Sequence, residues 1–488
     1  IMENIFPLEK SGTQAPKTIM LKGISGIGKT IVTQKIIYDW ASEKCCKQFY
    51  CVLSFHFQEL NLIRWPISLK NLILEKYGEL APVLPELLQK PNILITLDGL
   101  DEFKHQLDFH GSKVYKSVDD VATVAEIVVN LLNQNLLPKA TIFLTTRPTV
   151  SSVPKKLIDK NLVLAGFTSS GTKEYCLNYY KDIRIAGIVY NYISGYDSLS
   201  ALSFIPLYCY IICTLVEKIV TKGKDQLPSY RPPLTVTEVY HQYLINALQH
   251  HGRGTEVPSQ QDPSQVIGIS VKQAIFRLGK LAYKGLLSNM ILFDEEMLNY
   301  YGLSLNSLPS SFLTNVFTTQ QYGEQCLYSF FHVTLQEFFA ALYCVIEIGD
   351  NDQTLIECLN AWCLGEVHQS GNIHLLEDIT QDSGNLQEQL QTFTKFFVGL
   401  LKLIKDKSLT GLIESNNDNI LFLLKKWFTV CFEDETLTKH HFLILANCLF
   451  EFQEYSIVKS TSPNINEIQL ENIKLFPLDC VAINYALK

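Results

Sequence analysis

The chain is 488 residues long, room for two to four domains at about 100–200 residues each, and its 47% hydrophobic against 18% charged residues exclude wholesale disorder. Forty-one lysines and arginines against 49 aspartates and glutamates leave a formal charge of −8, so the chain as a whole is a poor counterion-releasing nucleic-acid binder, and direct binding to nucleic acid or membrane is not expected. Thirteen cysteines without zinc-type spacing are expected to be packed thiols of a reducing compartment; with no basic-then-apolar leader, the expected location is cytoplasmic.

In chain order, TIML at 18–21 is a short apolar run, followed by a helical pattern with Val32, Ile36, Ile37 and Trp40 on one face. CVLSFHF at 51–57 alternates as a half-buried strand does. ILITL at 93–97 and TIFLT at 141–145 have the length and composition of buried parallel strands, and LVL at 162–164 is a candidate fifth. Helical patterns fall between them, notably over 121–132. Strands separated by helices predict an α/β fold, a parallel sheet with helices on both faces.

Beyond about residue 165 the strands largely stop. The uncharged stretch 198–216 is long enough to span a bilayer, but it contains Pro206, four Ser/Thr and two Tyr, and it has no basic N-terminal flank. A short segment, a break at Pro206 and a buried helix are expected instead. Thr235 and Glu238 read as a capping box, continued at helical spacing by Tyr240, Tyr243, Leu244, Ala247 and Leu248. Residues 252–263, rich in Gly, Pro, Ser and Gln, read as a surface loop. Residues 271–287 and 335–348 are strongly helical, and 353–460 is expected to be all-helical with a polar break at 416–419.

GISGIGKT at 23–30 fits the pattern GxxxxGK[ST] between a predicted strand and helix. Glycines let backbone N–H groups of Gly23, Ile24, Ser25, Gly26, Ile27 and Gly28 curl around phosphates, and the helix start, through Ile31, adds positive potential. Lys29 is placed to reach the β/γ-phosphates and the Thr30 hydroxyl to ligate Mg²⁺. The strand at 93–98 ends in Asp98, where such an enzyme holds its Mg²⁺ shell, and Asp101 and Glu102 follow. One of these two is expected to orient or deprotonate the attacking water; the sequence does not choose between them. A third strand ends LTTRP, bringing Arg147 to the same sheet edge, either as a sensor of the γ-phosphate or in an ordinary ion pair.

GISGIGKT, ILITLDGLDEF and IFLTTRPTV, in that order, resemble the NACHT ATPase module of Nod-like receptors. The resemblance implies an α/β P-loop NTPase followed by helical and winged-helix domains. The expected boundaries are a linker at 1–15, the nucleotide domain at 16–165, helical domain 1 at 166–230, the winged helix at 231–345, helical domain 2 at 346–469 and the opening of a leucine-rich repeat region at 470–488. From the residues alone Pro206 reads as a helix breaker and His332 as a histidine near a helix start. The resemblance implies that Pro206 packs on adenine and that His332 touches the β-phosphate of ADP. It implies an ATP/ADP switch of innate immunity with slow hydrolysis, self-association on activation, and adaptors or effectors engaged through a domain preceding Ile1. A continuously turning-over P-loop NTPase, such as a kinase or remodelling motor, and a nucleotide-stabilised scaffold are the alternatives.

Overall fold

The computed structural model of the chain describes residues 5–6, 15–148, 153–222, 233–252, 269–303, 312–320, 323–366, 373–377, 386–409, 412–413, 419–434, 437–465, 470 and 475–488. Most of the 1–15 linker, nearly all of the 252–263 loop and residues 416–418 therefore lie outside the described residues. Two units result: Ile1–Gly166 with Asn315–Leu327, and Phe167–Thr314 with Tyr328–Lys488.

In the first unit a five-stranded sheet runs in the order β2-β4-β6-β1-β7, formed by β1 (Thr18–Lys22), β2 (Cys51–His56), β4 (Ile93–Asp98), β6 (Thr141–Thr146) and β7 (Lys160–Val163). All of its pairings are parallel. Between them lie α1 (Lys29–Ala41), α2 (Phe57–Leu60), α3 (Leu69–Lys76), α4 (Leu84–Leu87) and α5 (Val124–Leu132), with a small antiparallel ribbon of β3 (Ile67–Ser68) and β5 (Val121–Ala122).

The two-residue period of a strand sorts its side chains onto two cores. Met20, Leu53, Ile95, Ile142 and Leu144 enter one; Ile19, Leu21, Val52, Leu94 and Phe143 enter the other, with Ile36 of α1. The 51–57 segment expected to be half-buried is thus a strand covered on both faces, because helices flank the sheet on each side. As an edge strand, β2 has its open backbone partly occupied by Tyr77, whose hydroxyl accepts from Ser54 N (2.9 Å) and donates to Ser54 O (3.0 Å). The helix expected from 121 starts at 124. Thr123 and Glu126 form a capping box there, and Val121 and Ala122 pair with β3 instead.

The second unit opens with α6 (Ser169–Tyr180), α7 (Ile183–Ser194), α8 (Asp197–Ser203) and α9 (Pro206–Lys222). The 198–216 stretch is broken ahead of Pro206 as expected, and among the described residues no helix is long and apolar enough to cross a membrane. Next come α10 (Val236–Gly252), α11 (Ile269–Leu287) and α12 (Glu295–Tyr300). A three-stranded sheet is ordered β8-β10-β9, from β8 (Leu292–Asp294), β9 (Leu313–Gln320) and β10 (Gly323–Phe330), of which Asn315–Leu327 is grouped with the first unit. These strands are not legible in the periodicity of 290–330. The remainder is helical: α13 (Val333–Ile348), α14 (Asp352–Leu359), α15 (Leu386–Lys405), α16 (Ile420–Glu433), α17 (Lys439–Phe452), α18 (Tyr455–Thr461) and α19 (Pro477–Ala486). No leucine-rich repeat stands among the described residues; the 470–488 segment ends in α19.

Helix α13 is buried on nearly every face, which its apolar sequence allows. Glycines let α11 lie against it. A Cβ on Gly279 would stand 2.7 Å from Phe339 O, and one on Gly285 would stand 2.7 Å from Gln336 Nε2. Gln336 in turn donates to Met290 O at 2.9 Å. The capping box expected at α10 forms in altered shape. Thr235 Oγ1 accepts from Glu238 N (3.2 Å), whereas Glu238 Oε2 accepts from Leu234 N (2.6 Å). The buried carboxylate of Glu451, on α17, takes the next two donors, Val236 N (3.2 Å) and Thr237 N (3.1 Å), together with Thr237 Oγ1 (2.6 Å). Glu451→Ala strands these buried donors and is expected to lower stability by about 2–4 kcal/mol. Urea denaturation followed by helical circular dichroism measures this; an unchanged midpoint would show that the cap contributes nothing.

Candidate functional site

The 23–30 loop leaves β1 and enters α1. Gly23 N donates to Thr146 O at 3.1 Å, tying the loop start to the end of β6. Gly26 (φ 76°) and Gly28 (φ 102°) have left-handed backbones, which a side chain would strain. A Cβ on Gly23 would meet Ile27 Cγ2 at 2.7 Å, and Ile27 is buried beneath the loop. Ile24, Ser25 and Gly26 are half-buried along it, and Ile31 is exposed on the first turn of α1. Lys29 folds across the loop, its Nζ donating to Gly23 O (2.8 Å) and Ile24 O (3.3 Å). Burial holds its pKa below the ordinary lysine value, opposed by the charge of Asp101.

Asp98 ends β4 beside this loop, 5% exposed in its side chain, and gathers four neighbours. Thr30 Oγ1 donates to Oδ2 at 2.8 Å, Thr145 Oγ1 to Oδ1 at 2.5 Å and Thr33 Oγ1 to Oδ1 at 3.4 Å. His56 Nδ1 lies 3.3 Å from Oδ2. Burial acts to raise the Asp98 pKa, but the bonds from His56, Thr145 and Thr30 outweigh it and hold the carboxyl below its ordinary value. The hydrogen bond to Asp98 raises His56 against the effect of its own burial. An ionised carboxylate beside a threonine hydroxyl is an all-oxygen donor set of the kind Mg²⁺ takes, so these residues fit that ion.

The next two acids part company. Gly99, at φ 84°, starts a single 3₁₀ turn over Leu100–Glu102, and its N–H donates to Thr145 Oγ1 at 2.8 Å. Asp101 turns toward the end of β6, where it accepts from Arg147 Nε (2.8 Å) and Arg147 N (3.1 Å). Glu102 turns toward α2, its Oε2 accepting from Gln58 Nε2 at 2.8 Å. Burial, followed by the charge of Asp101, pushes the Glu102 carboxyl up to about 7.

The structure therefore brings Gly23, Lys29, Thr30, Asp98, Asp101, Glu102 and Arg147 to the carboxyl ends of adjacent strands. Arg147 is engaged with Asp101. In the second unit, Pro206 is the first residue of α9, and His332 caps α13, its Nδ1 accepting from Thr334 N at 3.2 Å. His56, Gln58, Thr33 and Thr145 were not singled out by sequence reasoning. The available signals were weak: a histidine closing a strand, and a threonine pair before Arg147. Among the described residues no group of three or more His, Cys, Asp or Glu forms a further metal cluster, and all thirteen cysteines are free thiols.

The raised Glu102 carboxyl has a consequence for stability. Its folded pKa of about 7 lies above the ordinary 4.5, so the native state holds a proton that the unfolded chain releases. Stability from this group falls as pH rises from 4.5 through 7. Glu102→Gln, which cannot ionise, is expected to gain thermal stability over the parent at about pH 8 and little at about pH 5. Nucleotide-free melting curves at the two pH values test this; a difference independent of pH contradicts it.

Three family models match the chain: NACHT domain over residues 17–182, NOD2 winged helix domain over 273–330 and NLRC4 helical domain HD2 over 332–460. Among curated proteins, the mouse "NACHT, LRR and PYD domains-containing protein 3" is 29% identical over 483 residues, covering 96% of this chain and 44% of the relative. The human "NACHT, LRR and PYD domains-containing protein 12" is 26% identical over 487 residues, with 97% and 42% covered. The chain thus spans less than half the length of these relatives. Among solved structures, "Structure of Drosophila ORC bound to DNA" aligns at a TM-score of 0.27 and 15% identity, covering 70% of this chain and 93% of that one, a likeness too slight to bear on function. Glycine-loop geometry and three models matched in chain order agree: the chain belongs to the NACHT-domain, Nod-like receptor family of P-loop NTPases.

Proposed function

We propose that this chain is a cytoplasmic ATP/ADP switch, in which exchange of ADP for ATP opens the protein for self-association and slow hydrolysis resets it. One observation carries the reading: the 23–30 loop shares one sheet edge with Asp98, Asp101, Glu102 and Arg147. In this reading the loop N–H groups and Lys29 hold the phosphates, and Thr30 and Asp98 hold Mg²⁺. When bound, Mg²⁺ neutralises phosphate charge.

Of the two acids, Glu102 suits the role of base. Asp101 is committed to Arg147, whereas the Glu102 carboxyl, near 7, has a proton affinity matched to neutral pH. Glu102 takes a proton from water as the new P–O bond forms and the bridging P–O bond to ADP breaks; the proton then passes to solvent. A γ-phosphate competes with Asp101 for Arg147, which gives ATP and ADP different contacts with this chain. Such a difference in affinity is what shifts a two-state equilibrium. The roles of Pro206 on adenine and His332 on the β-phosphate rest on family resemblance, as do the domain boundaries, adaptors engaged through a preceding segment and the immune setting.

The test is to denature the purified chain and identify its nucleotide by chromatography, with light scattering before and after exchange into ATP·Mg²⁺. Stoichiometric ADP in a monomer that grows with ATP is the expected result. Lys29→Ala is expected to lose nucleotide affinity at least tenfold and to stay small. Glu102→Gln is expected to keep nucleotide and slow hydrolysis about 100-fold or more. An empty site with fast turnover and no change of size would replace the switch with a continuously working NTPase.

A further inference from the structure

Gln58 lies on α2, directly after β2, and belongs to no recognised motif. Its amide donates to Glu102 Oε2 at 2.8 Å. Three residues on, Asn61 Nδ2 donates to the Glu102 carbonyl at 2.8 Å, and Asn61 Oδ1 accepts from Lys104 N at 2.9 Å. Residues three apart on a helical turn share a face, so this one turn grips both the side chain and the main chain of Glu102. The same oxygen lies over Gly99, where a Cβ would stand 2.8 Å from Oε2. Glycine is therefore required at 99 twice over, by its positive φ and by the room that Glu102 occupies.

We propose that Gln58 is a positioning residue for hydrolysis: with Asn61 fixing the main chain, its amide holds Glu102 Oε2 and leaves Oε1 to take the proton of the attacking water. The inference rests on Glu102 being the base. A neutral amide donor suits that task, since it orients the carboxylate without the strong pKa depression a cation would impose. The charges acting on Glu102 are Asp101 beside it, Asp98 of β4, Arg147 after β6 and Lys29 of α1. Against the two acids, Gln58 favours the ionised form, so its loss raises the pH at which the base becomes available.

The experiment is single-turnover ATP hydrolysis with Mg²⁺ by the 488-residue chain over about pH 5.5 to 9, for the parent, Gln58→Leu and Gln58→Glu. Gln58→Leu is expected to move the midpoint of the acid limb upward by about one pH unit and to lower the plateau about tenfold. The ATP concentration at half-saturation stays within about twofold, since Gln58 acts on the base and not on the loop. Gln58→Glu, which sets a like charge against Glu102, moves the midpoint further the same way; it serves if the leucine variant melts early or loses nucleotide. A superimposable pH profile in both variants, or a rate loss at every pH without a moved midpoint, overturns the proposal. If Glu102→Gln hydrolyses like the parent, the assignment of the base is what fails. If Glu102→Gln is inactive and the Gln58 profiles are unmoved, only the positioning role fails.

Discussion

The first unit is organised around one buried carboxylate. Asp98 binds Thr30 and Thr33 of α1, Thr145 of β6 and His56 of β2, so a single side chain ties a helix and both neighbouring strands to β4. Burying an isolated carboxylate is unfavourable, and here the hydrogen bonds more than offset it, holding the Asp98 carboxyl below its ordinary value. The 23–30 loop is fixed as a consequence. Its helix begins at Lys29, after the left-handed Gly28, with Thr30 tethered to Asp98, and the loop start is held by Gly23 N on the end of β6.

From that anchor the chain separates two chemically similar acids. Gly99 makes the left-handed step that a residue with a side chain resists, and one 3₁₀ turn sends Asp101 and Glu102 in different directions. Asp101 meets a cation and Glu102 a neutral amide. Burial, followed by the charge of Asp101, raises the Glu102 carboxyl. The second unit uses a buried carboxylate for another purpose. Glu451 closes the N-terminus of α10, satisfying donors that the local capping box leaves open.

Much of the fold was legible in sequence. The buried strands at 93 and 141 are apolar runs of strand length, and the glycines and lysine at 23–30 stand where a phosphate loop needs them. The break ahead of Pro206 follows from proline chemistry. Legibility failed where the pattern was too short or too ambiguous. Two-residue β3 and β5 leave no periodicity, and the strands at 292–330 carry no clean alternation. The helix expected over 121–132 begins three residues later, because Val121 and Ala122 are as apolar as the helix they precede and Thr123 is its cap.

By itself, the sequence determined the α/β character of the first third, the glycine-rich loop at 23–30, and the acids and arginine at the ends of two further strands. These depend on local spacing, and a strand or helix imposes its period on neighbouring residues. Strand order and register belong to tertiary structure. They set His56 against Asp98 and Leu144 against Leu97, which brings Thr145 to the Asp98 carboxylate, and they carry Gln58 to Glu102. Which acid receives a cation and which an amide was decided there too. Proton affinity depends on burial and on groups distant in sequence, and no local pattern encodes those.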